Sequence, residues 1–315
     1  MKSYPHCRIA KALALLVLPS MLSACGGTAV TPAEPTLPPV EVVVSTATSI
    51  PASTHTPAPT PFPGTQVYPL SSLGNGIPWL PLEKGREPMT VYYGFNFNTP
   101  PFNDLLVRQA FAAAVDREAV AAQAAGLQLR EVTPATTLTP PSVLGRDLYG
   151  EVGVPFDPAR AKALLEQAGY SDPESFPKAT LIVYLRGAAP GAHFRIAQSV
   201  ADMWKAHLGV TVAVEAVESP YAMEARMQTQ EPEMYLLAWG ADVMDPDNFL
   251  TLFLSRSEFN HGHFKSPAFD GYVNQAGALF DPAERQILYM KAEQIISEQD
   301  VALIPLFHTL WYEQP

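Results

Sequence analysis

After Asp104, apolar side chains recur at spacings of three and four, at Leu106, Val107, Phe111 and Val115. That period puts them on one helical face and predicts a helix over Asp104–Ala125. Upstream, Thr90–Phe97 is a run of β-branched and aromatic residues that reads as a strand, and similar short runs stand at Leu181–Leu185, Val210–Val217, Met234–Trp239 and Ala302–Phe307. Between them, five segments open with a capping residue and a proline: Asp157-Pro158, Ser219-Pro220, Asp245-Pro246, Ser266-Pro267 and Asp281-Pro282. The Asp or Ser oxygen accepts free N–H groups of a first helical turn, and proline at the first helical position gives up no bond. The helix opened by Asp157 is expected to end at Ala168, because Gly169 takes the left-handed turn a C-cap wants. Alternation of helix and strand predicts an α/β fold, a central sheet covered by helices, with no internal repeat.

This patterning begins near Met89, and the chain divides there. Residues 1–24 carry Lys2, Arg8 and Lys11 without an acid, then the apolar run Ala12–Ser23, then Leu22-Ser23-Ala24-Cys25-Gly26. That order of basic, apolar and small-residue zones reads as an export signal. The apolar run falls well short of the ~20 residues that a helix needs to cross a bilayer. Residues 25–88 follow as a tether. From Gly26 to Leu82 the only charged side chains are Glu34 and Glu41, while Pro, Thr, Ser, Ala and Val dominate. Such a stretch buries too little apolar area to offset its ordering entropy, so it is expected to be disordered. Fully extended at ~3.1 Å per residue, Gly26–Gly64 would reach about 120 Å. Residues 89–315 are long enough for a domain with its own core.

Composition sharpens this picture. The chain has 20 Lys plus Arg against 31 Asp plus Glu, a net charge of −11, which opposes binding to nucleic-acid phosphates. Removing residues 1–24 takes away three of the basic residues and none of the acidic ones. Much of the load of 32 prolines falls on the tether. The two cysteines, Cys7 and Cys25, both lie in the first thirty residues, so the body holds no disulfide or thiolate metal cluster.

Signatures of catalysis are missing: no Gly-x-Ser-x-Gly elbow, no His-Glu-x-x-His, no Gly-x-Gly-x-x-Gly opening a helix and no Walker-type loop. Neither an enzyme nor a resident cofactor is expected. His261-Gly262-His263, with His308, has ligand character, but Asn260, Gly262 and Lys265 make the segment read as a surface turn, and no metal is expected there. More informative is Met234–Asn248, where an apolar strand delivers Trp239, Gly240, Ala241 and Asp242 to a strand-to-helix loop, the place where ligands of α/β sheets sit. Read without analogy, Asp242 would be a loop cap and Trp239 core; Asp245, Asp247 and Asn248 read as helix caps, and Arg108 and Arg117 as surface or hinge ion-pair residues.

The run Trp239-Gly240-Ala241-Asp242 followed by Asp245-Pro246-Asp247-Asn248-Phe249 resembles the extracytoplasmic solute-binding proteins of peptide ABC transporters, the oligopeptide, dipeptide and nickel group of family 5. Four further segments resemble that family in its order: Pro101–Arg117, Phe156–Tyr170, Trp204–Val212 and Glu293–Leu306. Leu22–Cys25 is similar to the lipobox of bacterial lipoproteins, in which the cysteine at the position of Cys25 is lipidated and becomes the mature N-terminus.

The resemblance implies a periplasmic-binding-protein-like lobe that corresponds to the family's second lobe, with Thr90–Phe97 and Ala302–Phe307 side by side as the two crossings between lobes. It implies noncovalent capture of a peptide or similar small solute, with Asp242 gripping an α-amino group, Trp239 walling the pocket and Gly240 and Ala241 completing the segment. The implied partners are the solute, a transporter permease and the membrane, through a lipid that anchors the protein outside the cytoplasm. Two departures stand out. No Arg precedes Trp239 on its strand to meet a peptide carboxylate, and the first lobe has no counterpart in this sequence. A separate lobe-one polypeptide is therefore expected, or else an accessory protein whose exposed half-cleft binds another polypeptide without transporting it.

Overall fold

The computed structural model describes residues 86–127, 129, 131–184, 191–229 and 232–311, all within one structural unit, Phe62–Pro315. The signal segment, Cys25 and the tether expected before residue 86 lie outside the described residues.

Six strands form one mixed sheet: β1 (Glu87–Phe95), β2 (Thr133–Pro134), β3 (Ala179–Tyr184), β4 (Val212–Val217), β5 (Met234–Gly240) and β6 (Leu303–Trp311), in the order β2-β6-β1-β5-β3-β4. Strand β1 runs antiparallel to both neighbours, whereas β3, β4 and β5 run parallel to one another. The expected neighbours are paired: Val91 lies opposite Phe307 and Tyr93 opposite Ile304.

Alternation along β1 and β5 sends side chains to two apolar faces. Val91, Tyr93, Phe95, Met234 and Leu236 pack with α1 (Leu105–Ala113), α2 (Arg117–Gly126), α4 (Pro158–Gln167) and α5 (Ala192–Leu208), where Phe111 and Trp204 are fully buried. Tyr92 and Tyr235 face the other way, toward α3 (Pro141–Leu144), α7 (Asp247–Leu250), α8 (Pro267–Ala278) and α9 (Pro282–Gln294). The result is a three-layer α/β/α arrangement, as the alternating pattern predicts.

The caps act as expected at three starts, where Asp157, Asp281 and Ser219 accept first-turn N–H groups of α4, α9 and α6 (Pro220–Thr229). At a fourth, Asp245 accepts from a first-turn N–H, that of Asp247 at 2.9 Å, although α7 itself has Pro246 in the N-cap position. Ser266 starts α8 without a side-chain cap bond. After α4, Gly169 has φ +96°.

The single helix expected over Asp104–Ala125 is instead two helices, α1 and α2. Asp116 interrupts it because its carboxylate caps a new start, accepting from Ala119 N at 3.1 Å.

Arg108 and Arg117 are likewise not surface ion-pair residues; each is 4% exposed. Arg117 donates to Pro305 O and Val154 O at 2.8 and 3.0 Å. A register shift at Val91/Tyr92 leaves Leu306 as the extra residue of a bulge in β6, beside the Pro305 carbonyl that Arg117 reaches. Arg108 donates to Phe102 O, Asp300 O and Val301 O and lies 3.9 Å from the centre of the Phe97 ring, binding the turn before β6 to α1. Burial lowers the pKa of both guanidiniums to about 10, still cationic at neutral pH.

A second buried polar cluster joins β1, β6 and α9. Thr90 Oγ1 donates to Leu138 O at 2.6 Å, so its 2.8 Å contact with His308 Nδ1 requires that nitrogen to carry the proton. The fully buried Glu293 carboxylate accepts from Leu138 N and Thr139 N at 2.8 and 2.7 Å. Burial pushes Glu293 up to about 7 and His308 down to about 3.

Candidate functional site

Because β3, β4 and β5 are parallel, the segments that follow them leave the sheet at one edge, where ligands of open α/β sheets bind. Trp239 and Gly240 are the last two residues of β5, opposite Thr90 and Met89 of β1. Ala241 is buried and its N–H donates to Pro88 O at 2.8 Å, which continues the pairing one residue past the strand. The chain then turns outward, and Asp242 is exposed. Among the described residues, the Asp242 carboxylate has no ion pair. The structure thus brings Trp239, Gly240, Ala241 and Asp242 to one rim.

Asn248 holds that rim together. Its Oδ1 accepts from the Trp239 indole Nε1 at 3.3 Å and from Asp242 N at 2.9 Å, so one side-chain atom sets both the ring and the start of the acidic turn. Read from the sequence as a helix cap, Asn248 instead points back across the loop; its spacing of six from Asp242 carries no local signal for this. Below it, Asp245 receives Arg285 in a two-pronged ion pair at 2.8 and 2.9 Å. Tyr289 OH donates to Asp247 Oδ1 at 3.0 Å, and burial raises the Asp247 pKa. Asp245 does serve as a cap, but this cluster also fastens α7 to α9.

Beside Trp239 lies a partly open recess of about 160 Å³, lined by Tyr92, Leu237, Trp239, Leu252, Phe259 and His261. Phe259 meets the Trp239 ring edge-to-face at 5.6 Å and is 55% exposed. The segment that carries it is pinned by the Asn260 amide, which donates to Leu254 O and Phe264 O at 3.2 and 2.7 Å and accepts from Phe264 N.

The expected surface turn at His261–His263 therefore holds only for His263, which is exposed. Gly262 is buried, and its carbonyl accepts from Phe97 N at 2.8 Å. A Cβ on Gly262 would stand 2.2 Å from Phe95 O, and one on Gly94 would stand 2.1 Å from the Tyr235 ring, so both glycines are required for this loop and Tyr235 to lie against β1. His261 packs edge-on to Tyr235, and burial lowers its pKa. His308 belongs to the Thr90 cluster. No group of three or more potential metal ligands occurs among the described residues.

Over residues 60–261 the chain matches the family described as bacterial extracellular solute-binding proteins, family 5 middle. It is 37% identical over 221 residues to the probable deoxycholate-binding periplasmic protein YgiS of Escherichia coli K12, covering 69% of this chain and 39% of that one. It is 31% identical over 223 residues to the periplasmic oligopeptide-binding protein OppA of the same organism, covering 70% and 39%. Among solved structures, the Escherichia coli murein tripeptide binding protein MppA superposes with a TM-score of 0.61 at 28% identity, over 73% of this chain and 45% of that one. OppA of Haemophilus influenzae in complex with RPPGFSPFR gives 0.60 at 25% identity, over 73% and 45%. The chain spans about two fifths of the length of the curated relatives it matches.

Proposed function

The chain belongs to the family 5 bacterial extracellular solute-binding proteins, and from that premise we propose that its folded body forms one wall of a noncovalent binding site for a peptide or similar small amine, Asp242 receiving the ammonium and Trp239 flanking it. The observation that carries this reading is the exposed Asp242 carboxylate just past β5, without an ion pair among the described residues, with Trp239 and the Asp242 backbone fixed by one Asn248 oxygen. Gly240 and Ala241 set its place, one paired with Met89 and the other bonded to Pro88.

Magnitudes divide capture into two stages. On an open face an ion pair of this kind is worth roughly 0–1 kcal/mol, because water and salt screen it. Once a second wall excludes water, losing one partner of such a pair costs about 2–5 kcal/mol. A single wall also leaves much of the ligand wet, where good small-molecule sites bury about 70–90% of it. In this reading the covering wall is a further stretch of polypeptide, in the same protein or as a separate lobe-one chain. Delivery to a transporter permease follows from the same family reading. Residues 1–24 act as the export signal, Cys25 carries the lipid that anchors the protein outside the cytoplasm, and residues 25–88 tether the body that follows. Several acyl chains at ~0.8 kcal/mol per buried CH₂ suffice for a stable anchor.

The test is a nuclear magnetic resonance titration with trialanine and N-acetyl-trialanine. Trialanine should shift backbone resonances around Trp239 and Asp242, acetylation should abolish the shifts, and Asp242→Asn should weaken binding severalfold. Equal binding of the acetylated peptide would refute the assignment of Asp242.

A further inference from the structure

The recess beside Trp239 has a size and a lining that the ammonium reading does not use. A cavity of about 150 Å³ lined by Leu, Ile and Phe is known to stay dry and hold benzene, whereas a whole drug-sized ligand needs at least ~300 Å³. At about 160 Å³, this recess matches one ring or one branched aliphatic group rather than a whole ligand. Its lining side chains are apolar or aromatic apart from His261, and none carries a full charge at neutral pH: burial holds the Tyr92 phenol up and His261 down. The charges acting on His261 are Glu224 of α6 and His263. A charged group placed inside would lose water and find no counter-ion.

Phe259 supplies an independent observation. Phe259 is 55% exposed, yet its loop is fixed: the next residue, Asn260, clamps the backbone with four side-chain hydrogen bonds, and Gly262 is packed onto β1. The ring is therefore held in water beside Trp239 in advance, the condition under which a wall costs little ordering entropy on binding. Trp239 is both the inner wall of the recess and, through Asn248, coupled to the Asp242 turn.

We propose that the recess is a side-chain subsite that selects one uncharged, benzene-sized group close to the ligand's ammonium, with Phe259 as its outer wall and His261 at its flank. This rests on the ammonium reading only for the position of the group; the recess itself stands on its own lining. The ligand class is accordingly narrowed to amines or peptides with an aromatic or branched aliphatic group at one of their first two positions.

Two measurements on the full chain test it. In calorimetry, Phe-Ala-Ala or Ala-Phe-Ala should bind ten- to a hundredfold more tightly than trialanine, on the order expected for burying one such side chain. The peptide with Lys in place of that Phe should gain nothing, and Phe259→Ala should reduce the gain to under threefold. In the second measurement benzene alone is titrated, and it should shift the methyl resonances of Leu237 and Leu252, less so in Phe259→Ala. If the Phe and Ala peptides bind equally while Asp242→Asn still weakens both, the subsite is wrong and the ammonium reading stands. If benzene and the Phe gain persist but acetylation and Asp242→Asn have no effect, the ammonium reading is wrong and the subsite stands. A Lys peptide as tight as the Phe peptide, or no methyl shift with benzene, overturns the subsite.

Discussion

Replacing His308 by Asn removes a titratable ring from the buried cluster at Thr90 while leaving an amide N–H able to donate to Thr90 Oγ1, as the ring nitrogen does at 2.8 Å. The folded protein holds His308 neutral down to about pH 3, whereas an unfolded chain protonates it below 6.5. Across that interval the unfolded state binds more protons, so stability falls as pH drops. Glu293 acts with the opposite sign: its folded pKa of about 7 lies above the ordinary 4.5, so the folded state binds more protons and stability falls as pH rises through that window. Between pH 4.5 and 6.5 the two slopes cancel, and the wild-type curve alone would hide both. The difference between wild type and His308→Asn isolates the histidine. Going from pH 6.5 to 4.5, the wild type should lose about 2 kcal/mol relative to the variant, the slope rising from half to the full ~1.4 kcal/mol per pH unit as the unfolded ring protonates. Urea unfolding followed by tryptophan fluorescence at a series of pH values measures this directly. A difference curve that stays level would mean that His308 titrates normally in the folded state, and the reasoning from burial would fail.

Other perturbations reach the site and the anchor. Asn248→Ala should cost about 1–3 kcal/mol in thermal or urea unfolding, since it leaves the Trp239 indole and the Asp242 amide without their shared acceptor, and it should weaken trialanine binding although no ligand contact is removed. Arg285→Leu strands Asp245, which is 8% exposed, and should destabilise by roughly 3–5 kcal/mol at neutral pH, as thermal melts will show. Cys25→Ala should shift the protein from the membrane fraction to the soluble fraction on cell fractionation, and unchanged membrane association would refute lipidation at Cys25.

Features written into neighbouring residues were legible in the sequence. Capping by Asp157, Ser219 and Asp281 is a contact over two or three residues, and the central strands β1, β3 and β6 are short runs buried largely on both faces, so each announces itself within a window of about ten residues. The rim residues 239–242 were legible in the same way, as the end of a short apolar run. What could not be read depends on partners far along the chain. Arg117 is buried because a bulge in β6, some 190 residues later, presents the Pro305 carbonyl to it. Asp116 divides a continuous apolar stripe because a capped start outweighs periodicity there. The recess draws Tyr92 from β1, Trp239 from β5 and Phe259 and His261 from a later loop, and the close approach that Gly94 and Gly262 permit beside Tyr235 shows only in the fold. Asn248 looked like a cap because it follows the Asp245-Pro246-Asp247 run that opens a helix; neither it nor Asp247 makes a cap bond, Asp247 instead accepting from Tyr289.

Glu87 and Trp311, the outermost paired residues of β1 and β6, sit opposite each other in one ladder. The chain therefore enters the sheet at Glu87 and reaches the end of β6 at Trp311 side by side, at one end of the same ladder. This juxtaposition makes the body a natural cassette, since a short linker could close Glu87 to Trp311 and new ends could be opened elsewhere with the strand order intact.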